Sequence, residues 1–141
     1  MGYTHGWQQT GRPDDAEWAT IRKDVLAIMQ ASGMPLAGPD GTAASLPGPD
    51  GGAIYFNGVG DDGYETFRIA QDGTDNGFCK TQKRAYDVVV AAILCYLGSV
   101  TGLYEIHVFD KDKDDYAAGL ELARRALPHH AERLRVPEFP F

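Results

Sequence analysis

Hydrophobic and polar positions change period several times along this chain, and each change predicts an element. Tyr3, His5 and Trp7 alternate with Thr4, Gly6 and Gln8, the period-2 pattern of a strand with two unlike faces. Asp14, with Glu17 three places on, carries a capping-box signature directly after Pro13. Trp18, Ile21, Val25 and Ile28 then follow at helical spacing as far as Gly33, so a helix is predicted over 14–32. From Met34 to Gly52 the chain is Gly/Pro-rich, with GPDG at 38–41 and again at 48–51, and it reads as a flexible loop holding nothing longer than a short strand. Ala53–Asn57 and Glu65–Ile69 are strands joined through GVGDDG into a hairpin. A polar loop over 71–77 leads to FCKTQKRAYD and the apolar run VVVAAILCYL, which its length assigns to a helix over 81–98 with Gly98 as the stop. Leu103–Phe109 is a further strand, with Tyr104, Ile106 and Val108 on one face. Tyr116, Leu120, Ala123 and Leu127 mark a last helix that ends at Pro128.

The order βα, loop, ββ, αβ, α predicts the α+β class. In particular it predicts a ferredoxin-like α/β sandwich: one antiparallel four-stranded sheet, the 14–32 and 81–98 helices on one face, and an extra C-terminal helix. Residues 1–128 form the single domain and 129–141 a tail. The first and last strands are then antiparallel neighbours at the sheet centre, which brings His5 near His107 if both side chains point the same way.

Charge narrows the partners. The chain has 13 Lys+Arg against 20 Asp+Glu, a net charge of −7, and a field of that sign repels nucleic-acid backbones and anionic lipid. Cys79 and Cys95 make neither a metal spacing nor a disulfide framework, and the N-terminus lacks the apolar stretch of a signal peptide, which points to a cytoplasmic protein. The run Val88–Leu97 is about half of the ~20 residues that a membrane span needs. Seven tyrosines, six phenylalanines and two tryptophans are many for so few elements, and one sheet face of the expected fold lacks helical cover, so a homodimer is expected.

Candidate chemistry concentrates around FCKTQKRAYD. With Thr81 as N-cap, free N–H groups would lie beside Lys80, Lys83 and Arg84, an arrangement that attracts an anion; a solvated helix start is the plainer account. A Walker A loop is excluded, because the glycines that GxxxxGK[ST] requires are Thr74 and Cys79 here. Cys79 ahead of a positive helix end has the setting of an activated thiol, for which His5 or His107 would be the base; a buried inert cysteine is the commoner case. Tyr3, His5 and Trp7 form either a stacking shelf for a base or sugar, or a face covered by a helix or a second subunit. Glu65, on the strand face of Phe67 and Ile69, is expected to be partly buried and partnered by Lys80 or a histidine. Asp110, Asp112, Asp114 and Glu121 match positions 1, 3, 5 and 12 of an EF-hand calcium loop, but Asp115 replaces its glycine and a strand precedes it. His129-His130 offer an incidental metal contact, and Phe139 and Phe141 read as a latch or a docking tail.

GYTHGW, FNGVGDDGYETF and FCKTQKRAYD together resemble a family of small uncharacterised bacterial and phage-borne proteins, over residues 2–110. The resemblance implies a soluble accessory protein, a mobile-element or anti-defence factor, and carries no functional residue with it. Two functions follow from the whole reading. One is a non-catalytic binding protein that needs no cofactor and recognises an anionic small molecule or a protein partner through Lys80, Thr81, Lys83, Arg84, His5 and Trp7. The other is a small hydrolase or thiol enzyme using Cys79 with His5 or His107. Binding is favoured, since no acid–base or metal set has specific spacing.

Overall fold

A computed structural model describes residues 4–47, 51–73, 76–108 and 113–137. The fold is α+β. Strand β1 (Thr4–Gln9) leads to helix α1 (Asp15–Ala31); β2 (Leu36–Ala37), β3 (Ala53–Gly58), β4 (Phe67–Ala70) and β5 (Asn76–Lys80) follow, then α2 (Asp87–Tyr96), β6 (Tyr104–Val108) and the C-terminal α3 (Lys113–Ala126). As expected, the first and last strands are antiparallel neighbours and β1 is central to its sheet, whose order is β5-β1-β6. The strands do not, however, form one four-stranded layer, because a second three-stranded sheet runs β2-β3-β4. The reason is β5, which falls where the sequence pattern suggests a loop and a helix start. It pairs with β1 from Thr4↔Lys80 to Gln8↔Asn76 and so occupies the edge that the hairpin would have needed.

The hairpin itself is as the pattern predicts, with Ile54↔Ile69 and Phe56↔Phe67 in register. Its loop is organised by Asn57, whose side-chain oxygen accepts the N–H groups of Gly58 and Tyr64 at 2.8 and 3.0 Å. Its amide donates to the Tyr64 carbonyl at 3.1 Å, so the FNG…Y landmark is a turn device. In the preceding loop the Asp40 carboxylate accepts the Ser45 hydroxyl and the Thr42 hydroxyl and N–H, which hold its pKa below the usual carboxylate range.

Helix α1 opens on the expected capping box: Glu17 N–H donates to Asp14 Oδ1 at 2.7 Å, and Asp14 N–H to Glu17 Oε1 at 2.9 Å. Its inner face buries Trp18, Ile21, Val25 and Ile28, and also Asp24. Helix α2 is buried almost all round from Val89 to Tyr96, as an all-apolar helix must be. It begins at Asp87, six residues later than the pattern suggests, and Gly98 does not stop it. The chain widens into a π-type turn over Leu97–Thr101 and leaves through Gly102, at φ 71°. Gly98 instead makes room for Ile106, whose Cγ1 would lie 2.7 Å from an added Cβ.

The late start of α2 comes from a tight turn. Arg84 N–H donates to the Thr81 carbonyl at 2.9 Å, and Gln82 and Lys83 inside this turn both have positive φ, 50° and 58°. Two left-handed residues in succession favour Asn-Gly, and neither side chain here suits them. The double replacement Gln82→Asn, Lys83→Gly is therefore expected to raise stability by about 1 kcal/mol in urea unfolding. An unchanged or lower stability would contradict the left-handed turn.

The core contains Trp7, Phe56, Phe67, Tyr86, Tyr96 and Tyr116, with ring centroids 5.0 Å apart for Trp7–Phe67 and 5.3 Å for Phe56–Phe67. The aromatic surplus that suggested a dimer interface is thus largely internal, although Phe78 and Tyr64 are exposed. Among the described residues no helix is long and apolar enough to cross a membrane. The expected tail is docked as far as it is described: Leu134 is buried, Arg124 Nη2 donates to its carbonyl at 3.1 Å, and Arg133 Nη2 to the Val100 carbonyl at 2.9 Å. Phe139 and Phe141 lie outside the described residues.

Candidate functional site

Residues 17, 20, 21 and 24 share one face of α1 by their spacing, and this face forms one wall of a cleft of about 350 Å³. Tyr96 at the end of α2, Thr101 in the turn beyond it, and His130 and Arg133 of the C-terminal segment supply the rest of its polar lining. Asp24 is the unusual member. Its carboxylate is buried, and among the described residues its ion-pair neighbours are imidazoles instead of a lysine or arginine. Tyr96 Oη donates to Asp24 Oδ2 at 2.8 Å, His130 Nε2 is 3.5 Å from the same oxygen, and His129 Nε2 is 4.0 Å from Oδ1. Burial, reinforced by the bond to Asp24, pushes the Tyr96 phenol above its usual range, so it stays a neutral donor. The Tyr104 phenol is raised to about 12 by burial, and its hydroxyl has no hydrogen-bond partner among the described residues. The cleft can therefore offer a carboxylate, an imidazole, a guanidinium and hydroxyls to a small polar molecule.

The residues singled out from the sequence lie elsewhere, in two groups. His5 is fully buried between helices: its Nε2 is 2.7 Å from Asp87 Oδ1 and its Nδ1 3.0 Å from Tyr116 Oη. A carboxylate only accepts, so Nε2 donates to Asp87, while Nδ1 shares the second hydrogen bond with the Tyr116 hydroxyl. Thr81, the expected N-cap, is buried and gives its hydroxyl to Asp87 Oδ1, not to the N–H groups that follow it. Cys79 faces His5 across the β1–β5 pair, but it is fully buried and its thiol donates to the Glu65 carbonyl at 3.5 Å. His107 pairs with Gly6 while Val108 pairs with His5, so His107 is on the opposite sheet face and cannot serve Cys79 or His5. Trp7 is buried on Phe67 and over Gly77, so the His5 and Trp7 members of the expected shelf are covered by the protein's own core, while Tyr3 lies outside the described residues.

Lys80, Lys83 and Arg84 form the second group. They are exposed around the 81–84 turn, but without the expected helix N-terminus, since α2 starts only at Asp87. Glu65 is exposed, not partly buried, and its partner is the backbone N–H of Lys80, which it accepts at 2.7 Å. Asp110 and Asp112 lie outside the described residues, but α3 already spans Lys113–Ala126, so a calcium loop reaching to Glu121 is ruled out by helix geometry.

Both thiols are sealed: Cys95 is buried and its thiol pushed up to about 12, and Cys79 is fully buried. Native protein at pH 8 is expected to leave both unreacted with a chromogenic disulfide reagent, and unfolded protein in guanidinium to titrate both. Rapid labelling of Cys79 in folded protein would restore the thiol-enzyme reading.

Sequence reasoning noted His129-His130 but missed their partner. Asp24 was legible as a carboxylate inside the Ile21, Val25, Ile28 stripe of α1, a position where a charge needs a reason. Comparisons with protein-family models, with curated proteins and with solved structures find no match to this chain.

Proposed function

We propose that this protein is a non-catalytic binding protein that holds a small polar ligand in the cleft between α1, the turn after α2 and the docked C-terminal segment. The observation that carries this reading is Asp24, a buried carboxylate oriented by Tyr96 at a cleft of about 350 Å³, which falls in the size range of small-ligand sites. Arg133 and His130 suit an anionic group, and Asp24 suits a donor such as an amine or hydroxyl. The ligand class is then a small carboxylate with a second, donating end. A sequestering protein of this kind agrees with the accessory role implied by the phage and mobile-element resemblance.

The test is a thermal-shift panel of small amino and hydroxy acids against wild type and Ala16→Trp, which places a large side chain on an exposed cleft-lining position. Wild type is expected to gain stability with ligand, about 2.7 kcal/mol at a hundredfold excess over Kd, and Ala16→Trp to gain none. Equal shifts in both proteins would refute the cleft as the site.

A second reading is favoured by the 81–84 turn, which holds two residues at strained φ and presents Lys83 and Arg84 outward. In that reading the turn, with Lys80, docks an anionic surface of a partner protein. Lys80→Ala with Arg84→Ala would then weaken the complex and flatten its salt dependence. Cys79→Ser should leave it unchanged.

A further inference from the structure

We infer that Asp24, His129 and His130 form a mononuclear site for a divalent transition metal of the zinc type, beside the cleft and sharing Asp24 and His130 with it. One carboxylate oxygen and two imidazole nitrogens are a donor set that suits zinc and its neighbours; calcium, which takes six or more oxygens, is disfavoured. The donor atoms of all three residues lie within 4.8 Å of one another. Around a metal with bonds of about 2.1 Å, tetrahedral donors are about 3.4 Å apart. The 3.5 Å between Asp24 Oδ2 and His130 Nε2 is already that spacing. His129 Nε2 approaches the other carboxylate oxygen, Oδ1, at 4.0 Å, so coordination through a single oxygen asks the His129 ring to move, and its side chain, 62% exposed, has room to do so.

Three features argue against an accidental cluster. Asp24 sits on the buried stripe of α1, where an aliphatic side chain would pack without cost, so its carboxylate calls for a charge partner. His129 contributes little to packing, yet its Nε2 faces the same carboxylate as that of His130. Consecutive residues seldom present their side chains to one point; here the short helical turn Pro128–His130, followed by the anchors at Arg133 and Leu134, sets both rings against α1 with centroids 4.1 Å apart. The bond from Tyr96 to Asp24 Oδ2 is also the outer-shell support that ligating carboxylates commonly have, and it fixes the carboxylate before a metal arrives. Three protein donors leave a fourth position open, and a carboxylate ligand in the neighbouring cleft could fill it, with Arg133 taking the rest of its charge. The inference deepens the cleft-binding reading, but the donor set stands without it.

The experiment is titration of chelator-stripped full-length protein with Co(II), followed by its visible absorption, and with Zn(II) in competition with a chromophoric chelator. One equivalent of metal is expected, with the stronger absorption of low-coordinate cobalt. His129→Ala and His130→Ala should each weaken zinc binding at least tenfold, and Tyr96→Phe about tenfold. Far-UV circular dichroism checks each fold, and His129→Ala, at an exposed position, keeps the test valid if a buried variant unfolds. Ala16→Trp touches none of the three donors and should bind zinc normally while losing the ligand-induced thermal shift. Zinc affinity unchanged in the His129→Ala, His130→Ala double variant, or no binding above that of the double variant, overturns the metal site. If ligand shifts persist in that case, the cleft reading survives; if zinc binds and no ligand shift occurs, the cleft reading alone fails.

Discussion

Replacing Gly119 with alanine is expected to lower the melting temperature by roughly 10 °C, about 3 kcal/mol of stability. The sign is the informative part, since the same change inside an ordinary helix gains about 1 kcal/mol by relieving backbone entropy. Gly119 is in α3 where that helix crosses α2. An added Cβ would stand 2.7 Å from Ala91 Cβ, 2.8 Å from Ala92 N and 2.9 Å from Ala91 C. Two of these atoms are backbone, so no rotamer change relieves the contact. The helices must separate, and the fully buried neighbours Val90, Leu94, Tyr116 and Ala123 lose close packing with them. Gly119→Val should be worse, leaving little folded protein at 37 °C. Thermal denaturation of the alanine variant decides the matter: a melting temperature equal to or above wild type would mean that α2 and α3 do not meet at this point.

His5→Ala is expected to cost about 3 kcal/mol in urea unfolding, from two hydrogen bonds lost and their partners left short of one. His5 connects three elements: through it β1 reaches Asp87 at the start of α2 and Tyr116 in α3. Deleting the ring takes one donor from the part-buried Asp87 carboxylate and the Nδ1 partner from the fully buried Tyr116 hydroxyl. Because the two bonds share one ring, the energetics of His5 and Asp87 should be strongly non-additive. A double-mutant cycle of His5→Ala with Asp87→Ala is expected to give a coupling of about 2 kcal/mol or more. A single-variant loss under about 1 kcal/mol, or additive effects, would show that the cluster is incidental. The pattern Tyr3, His5, Trp7 invited a surface role for this histidine; its measured role should instead be that of a polar bolt in the core.

Legibility followed how local each cause was. The α1 capping box, the 53–70 hairpin and the Tyr116-to-Leu127 stripe all depend on residues within a few positions of each other, and all were readable before any coordinates. Strand β5 was not. Phe78 points outward, 58% exposed, while Cys79 turns in, so its hydropathy pattern is inverted relative to its burial, and only pairing with β1 reveals it as a strand. The start of α2 was misplaced for a related reason: Thr81 has the chemistry of an N-cap, but its hydroxyl is claimed by Asp87 within the His5 network.

The candidate site divides along the same line. What the sequence alone determined is the class of fold, the faces of its helices, the acidic character of the chain, and the presence of two adjacent histidines after a helix-ending proline. Which groups meet is set by long-range packing. Asp24 and His130 are separated by more than a hundred residues, and nothing in local spacing links them until α1 and the C-terminal segment pack side by side. His107 and Cys79 are excluded as a pair by strand register, a one-residue matter that flips a side chain to the other face. Periodicity reports which side of an element faces inward; it carries no information on what comes to meet that side, because burial is a property of two surfaces and each stretch of sequence describes only one.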